Sequence, residues 1–230
     1  MKNTIILWIF FAIAMLELGS EVTQNQILTY ITKPLLMTSL SIYYWLVIAN
    51  NRNRFSKLLF IGLLFSIGGD TYLMFEGNLF FMLGLGCFLF THLYYTAAFL
   101  SFHSLSRGFI RQQPWLIIIL TGYLFGIMSY LWADLRELKI PVFVYGTVIS
   151  TMALAAVNLK SKVPKHTFII LISGVILFIF SDSIIALSKF KSDFLITPYR
   201  NFIIMSTYIA AQYLIVRSAV TMNKLLENRD

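Results

Sequence analysis

Residues 167–187 read TFIILISGVILFIFSDSIIAL. At a rise of about 1.5 Å per residue, such a run makes a helix of about 30 Å, the thickness of a bilayer's hydrocarbon core. It is continuously apolar except for Asp182 and a few hydroxyls. A strand of a membrane barrel would alternate apolar and polar residues, and this run does not. Lipid offers no partner to irregular backbone, so a membrane-spanning helix is the reading.

Similar runs recur outward from this one. With it they make eight expected spans: 4–18, 28–48, 55–75, 79–102, 114–131, 141–158, 167–187 and 202–216. The fold class is therefore all-α, a polytopic transmembrane bundle of about eight helices, with residues 1–230 forming a single integral-membrane domain. The breaks are short and polar. Pro114 and Pro141 stand at expected helix starts, where a missing N–H does no harm. The polar tail, 221–230, is expected to fray. Composition agrees: 58% of residues are hydrophobic and 12% charged, against about 45–50% and 25% in soluble domains.

The first twenty residues, MKNTIILWIFFAIAMLELGS, have the basic start and apolar middle of a signal peptide. Glu17 and Leu18 fall where a cleavage site needs small residues, so an uncleaved first helix is expected.

The net charge of +8 comes without any long basic run or stripe, which argues against nucleic acid as a partner. Instead the cations sort by loop. Lys2, Arg52, Arg54, Lys57, Arg107, Arg111, Lys160, Lys162, Lys165, Arg217, Lys224 and Arg229 fall on one side. Lys33, Arg136, Lys139, Lys189, Lys191 and Arg200 fall on the other. The excess of positive charge predicts that both termini face the cytoplasm. The single cysteine, Cys87, allows neither an internal disulfide nor a thiolate metal site and reads as a small packing residue.

An ionisable side chain inside a span costs about 2.5–3.5 kcal/mol, so each one is a functional candidate. Asp70 in the third span, Asp182 in the seventh and Lys33 in the second fall at similar depth, which suggests one polar pocket. Two carboxylates brought together resist double ionisation, which would leave one protonated and one ionised, the division acid/base catalysis uses. Gly68 and Gly69 before Asp70 would let another backbone or a substrate approach. Two plainer alternatives stay open: an ion pair between Lys33 and one Asp that fixes helix packing, or a Lys33 that reaches to the interface.

His92 and Tyr95 share a face of the fourth span, and Tyr145, Tyr208 and Gln212 are further hydrogen-bonding groups within spans. A lone His within a span is more often a hydrogen-bonded packing group than a ligand. His103 and His166 lie at loop edges, so a three-histidine zinc site is not expected. Residues 64–74, LFSIGGDTYLM, and 177–187, LFIFSDSIIAL, each set one Asp after an apolar run. One aligned residue does not establish an internal repeat.

The chain resembles the lysoplasmalogenases, the YhhN-like family of eight-helix membrane proteins. The resemblance lies in Lys33-Pro34-Leu35, Gly69-Asp70 with Leu73-Met74, Phe88, and His92-Leu93-Tyr94-Tyr95 with Ala98-Phe99. It continues in Tyr145, Gly174, Phe178 through Ser181-Asp182-Ser183, and Tyr208 with Gln212. These occur in family order from the second span to the eighth. The resemblance implies hydrolysis of the vinyl ether bond of lysoplasmalogens to a fatty aldehyde and a glycerophospho-headgroup. Its catalytic aspartates would be Asp70 and Asp182, with Lys33, His92, Tyr95, Tyr145, Tyr208 and Gln212 binding substrate or supporting the site. The implied partners are a lysophospholipid substrate and the lipid bilayer, in a bacterial inner (cell) membrane.

That chemistry suits paired carboxylates independently. Protonating the β-carbon of a vinyl ether gives an oxocarbenium ion that water attacks, a problem glycosidases solve with two carboxyl groups. It requires no metal and no organic cofactor. A proton-coupled transporter of small amphiphiles would also bury Asp and Lys, but it would show clearer inverted repeats and broken helices.

Overall fold

The computed structural model describes residues 2–103, 109–191, 194, 197 and 199–228, with side chains from residue 4 onward. Arg107 and Arg229, counted above for orientation, lie outside the described residues, as does much of the 188–201 break. Eight long helices account for the eight expected spans: α1 (Lys2–Thr23), α2 (Gln26–Val47), α3 (Arg54–Leu73), α4 (Asn78–Phe102), α6 (Trp115–Leu131), α7 (Lys139–Val157), α8 (Lys165–Phe190) and α9 (Arg200–Glu227). A single turn of helix, α5 (Phe109–Gln112), precedes α6, and a 3-10 turn, Arg136–Leu138, precedes α7. No strand occurs among the described residues.

Among the described residues, α1, α4, α7, α8 and α9 are each long and apolar enough to cross a bilayer unaided, and α6 is a shorter apolar helix. Their outward faces carry large apolar side chains, among them Trp8, Leu79, Ile118 and Ile140. In water such surface would drive aggregation; in lipid it is the expected exterior. Cations lie over aromatic rings at helix ends, Arg52 on Trp45 and Lys139 on Trp132. This is the pairing found where a bilayer meets water. The protein is a multi-pass membrane protein.

The chain divides into two compact units, Met1–Ala98 with Val216–Asp230, and Phe99–Ile215. In the first unit, α1 and α2 form a hairpin through Gln24, whose φ is +53°, and Asn25, whose side chain caps α2 by accepting the Leu28 N–H. α3 starts in the same way, with Asn53 accepting the Ser56 N–H. Leu36, Met37, Leu40, Tyr44, Leu59 and Leu63 are buried in this unit.

α3 and α4 meet on a face of small residues. A β-carbon at Gly62 would stand 2.6 Å from the Tyr95 ring, and one at Gly69 2.6 Å from Phe88. The Thr91 hydroxyl donates to the Gly62 carbonyl at 3.1 Å. Gly68 faces Cys87. The room beside Asp70 that these glycines provide is thus taken by α4 side chains, as in close helix pairs in membranes.

Two expected boundaries are corrected. α1 runs on through Glu21 to Thr23 instead of stopping at residue 18. The described part of the tail is ordered: α9 continues to Glu227. Val216, Ala219, Met222 and Asn223 form a buried stripe at helical spacing. Asn223 accepts from Asn53 Nδ2 at 2.8 Å and donates to the Asn51 carbonyl at 3.0 Å, which fastens the helix end to the turn between α2 and α3.

In the second unit, Leu124, Met128, Leu131, Leu135 and Val142 form a core that Leu187 and Phe190 of α8 cover. α8 and α9 approach at Gly174, where a β-carbon would meet the Ala211 carbonyl oxygen at 3.0 Å and the Ile215 backbone nitrogen at 3.1 Å.

Candidate active site

α8 carries Asp182 on an otherwise apolar helix, half-buried. Tyr145 of α7 is a partner, its phenol donating to Asp182 Oδ2. The next residue, Ser183, is bonded to Tyr123 of α6 at 2.6 Å. The Ser183 hydroxyl donates its one proton to the Ile179 carbonyl, so Tyr123 is the donor to Ser183. Tyr123 and Tyr208 are near enough to Tyr145 to act on it electrostatically. Tyr208 of α9 sets its ring edge-on to Phe178, with centroids 5.5 Å apart, and accepts from Gln212 Nε2 at 3.2 Å. Ser181 donates to the Ile204 carbonyl and so ties α8 to α9 beside the acid. The Tyr145 phenol thus holds the carboxylate, with the Tyr123 phenol on the next residue of α8 and the Tyr208–Gln212 pair on α9 of the same unit.

Of the sequence-predicted residues, Asp182 and Tyr145 are therefore in direct contact, as are Tyr208 and Gln212. Asp70, His92 and Tyr95 belong to the first unit, and all three are buried. Asp70 lies on α3 directly after the glycine that receives Phe88, and Tyr95 is the ring packed over Gly62. His92 has its carbonyl capped by the Thr96 hydroxyl at 2.7 Å.

Lys33 has partners that the sequence reading did not foresee. Its ammonium donates to Glu21 at 3.4 Å and stands 3.9 Å from Glu17, both on α1. Thr32 donates to the other oxygen of Glu17. The two glutamates are one helical turn apart on one face, a spacing visible in the sequence. Tyr123 was missed as well, and Ser183 carried the resemblance only, without a role. Their signal is weak, because one tyrosine among twelve and a serine beside an Asp do not stand out. Among the described residues, no three His, Cys, Asp or Glu side chains group as metal ligands would.

Comparison with known proteins covers the same ground. The model of the YhhN family matches residues 28–219, which contain every residue of the candidate site except Glu17 and Glu21 of α1. Lysoplasmalogenase TMEM86A of Bos taurus is 34% identical over 174 residues, 74% of this chain and 68% of that protein. The Homo sapiens protein of the same name is 33% identical over 176 residues, with the same coverage. Lysoplasmalogenase TMEM86B of Mus musculus is 28% identical over 182 residues, 79% of this chain and 70% of its own. No solved structure matches the chain. With the family model spanning most of its length, the chain belongs to the YhhN family.

Proposed function

We propose that this protein is a membrane-embedded hydrolase that cleaves the vinyl ether bond of lysoplasmalogens, with Asp70 and Asp182 as its acid/base carboxylates. The observation that carries the reading is the Asp182 carboxylate held by the Tyr145 phenol on apolar helices, in a chain 34% identical to a lysoplasmalogenase over 74% of its length. The substrate is a lysophospholipid with one alkenyl chain, which the bilayer presents directly to a site among helices.

The reaction starts with a carboxylic acid proton delivered to the β-carbon of the vinyl ether. The double-bond electrons form the new C–H bond, and the positive charge is shared by the α-carbon and the ether oxygen. Water adds to the α-carbon and yields a proton to the ionised carboxylate. The hemiacetal then breaks its bond to the glycerol oxygen, which takes up a proton. One water is consumed, and the products are a fatty aldehyde and a glycerophospho-headgroup. Tyr145 orients the Asp182 carboxylate, and Tyr208 with Gln212 lines the same unit. His92 and Tyr95 support Asp70 from α4, and Lys33 serves the polar end of the lipid. The protein works as one domain in a bacterial inner membrane with both termini in the cytoplasm.

The test is fatty aldehyde release from ethanolamine and choline lysoplasmalogens by the purified protein, with and without EDTA. Release that persists in EDTA and is lost in both Asp70→Asn and Asp182→Asn, each melting like wild type, is the expected result. No aldehyde from folded wild-type protein would overturn the reading in favour of proton-coupled transport of an amphiphile.

A further inference from the structure

Glu17, Glu21 and Lys33 form a charged cluster that the hydrolytic steps do not use. Glu17 is fully buried, Glu21 is 7% exposed and Lys33 14%. Lys33 Nζ donates to Glu21 Oε1 at 3.4 Å but stands 3.9 Å from Glu17 Oε1, too far for a hydrogen bond. Thr32 serves Glu17 Oε2. Glu17 Oε1 is buried and receives no hydrogen bond from any described residue. A buried carboxylate oxygen without a donor is costly, so the site is incomplete as a purely structural ion pair.

Three features define what would complete it. Two carboxylates face one ammonium, so the cluster attracts positive charge. The orphaned atom is an acceptor, so the ligand must bring an N–H or O–H. Lys33 repels a multivalent metal ion and attracts a phosphodiester. The cluster also lies near the end of the α1–α2 hairpin, with Glu21 in the last turn of a helix ending at Thr23. The connected end of a hairpin of two membrane-spanning helices points toward one bilayer surface, where lipid headgroups reside.

We propose that Glu17, Glu21 and Lys33 bind the headgroup of a lysophospholipid carrying a primary ammonium. The ammonium donates to Glu17 Oε1 and Glu21, and the phosphodiester pairs with Lys33. The choice of a lysophospholipid rests on the hydrolase reading; the preference for an ammonium with N–H groups rests on the orphaned oxygen. A quaternary ammonium has the charge but no donor, so the site discriminates ethanolamine from choline headgroups.

The experiment measures affinity for saturated 1-O-alkyl lysophospholipids, which lack the vinyl bond, on the full chain in detergent. The headgroups are ethanolamine, its N-methyl and N,N-dimethyl derivatives, and choline. Affinity is expected to fall along the series, by about tenfold or more from ethanolamine to choline, as charge-assisted donors are lost. Glu17→Gln and Glu21→Gln are expected to flatten the series to within about twofold. Equal affinity of the wild type across the series would overturn the proposal without recourse to any variant. A slope that folded Glu17→Gln and Glu21→Gln both retain would overturn it equally. Glycerophosphoethanolamine, the same headgroup without a chain, distinguishes a soluble ligand: binding as tight as the lipid's would overturn the lipid assignment. None of these ligands can be hydrolysed. A headgroup slope without aldehyde release would remove the hydrolase reading alone, and aldehyde release without the slope would remove this proposal alone.

Discussion

The α1–α2 hairpin and the α7–α8 pair both carry carboxylates through apolar helices, and they answer the charge differently. In the hairpin, Glu17 and Glu21 meet the Lys33 ammonium and a threonine hydroxyl. In the α7–α8 pair, Asp182 meets the neutral phenol of Tyr145. A cation fixes a carboxylate in its charged form and offsets its desolvation, which suits binding. A phenol holds a carboxylate in place without adding charge and leaves it able to exchange protons, which suits catalysis. The roles proposed above, binding at the hairpin and catalysis at Asp182, would then differ with the partner supplied by the next helix.

The comparison is broken most severely at Asp182. Asp182→Asn is expected to lower aldehyde release by about a thousandfold, measured as kcat, with the melting temperature nearly unchanged. Tyr145→Phe tests the phenol alone: kcat should fall about ten- to a hundredfold while KM stays close to wild type. Lys33→Met should have the opposite character. It leaves two buried glutamates without their cation and should cost about 3 kcal/mol of stability, visible as a lowered melting temperature. Adding Glu17→Gln to Lys33→Met should recover much of that loss, and a purely additive double variant would refute the coupling. The smallest effect is expected at the Lys191–Asp134 pair, whose ions are 2.6 Å apart but 24% and 38% exposed. Lys191→Met should cost under about 1 kcal/mol, because water competes for both partners.

The membrane fold was legible because lipid imposes a length and an apolarity on each crossing, and residues 167–187 meet both. Asp70 and Asp182 stood out as candidates for the same reason, as charges where charge is costly. What was hidden depended on neighbours. Glu17 and Glu21 read as the end of a leader-like segment, and only the approach of Lys33 from α2 makes them part of a site. Gly68 and Gly69 signalled close approach, but Cys87 and Phe88 as the occupants follow from the pairing of α3 with α4. The tail looked too polar to order, because Asn223 gains its value from Asn51 and Asn53, far away in the chain. Tyr123 could be found only once α6 was set against α8.

The crossing of α8 and α9 at Gly174 gives that glycine leverage over a distant atom. Asp182 lies eight residues further along the same helix, a lever arm of about 12 Å. A methyl group at position 174 would press on backbone atoms of α9, which cannot swing aside as a side chain can. A tilt of about 5° at that fulcrum would carry the carboxylate sideways by about 1 Å, a displacement on the scale that costs an enzyme about a hundredfold in rate. If Asp182 acts as proposed, a substitution at residue 174 would therefore register as a damaged carboxylate, in a molecule whose carboxylate is chemically intact.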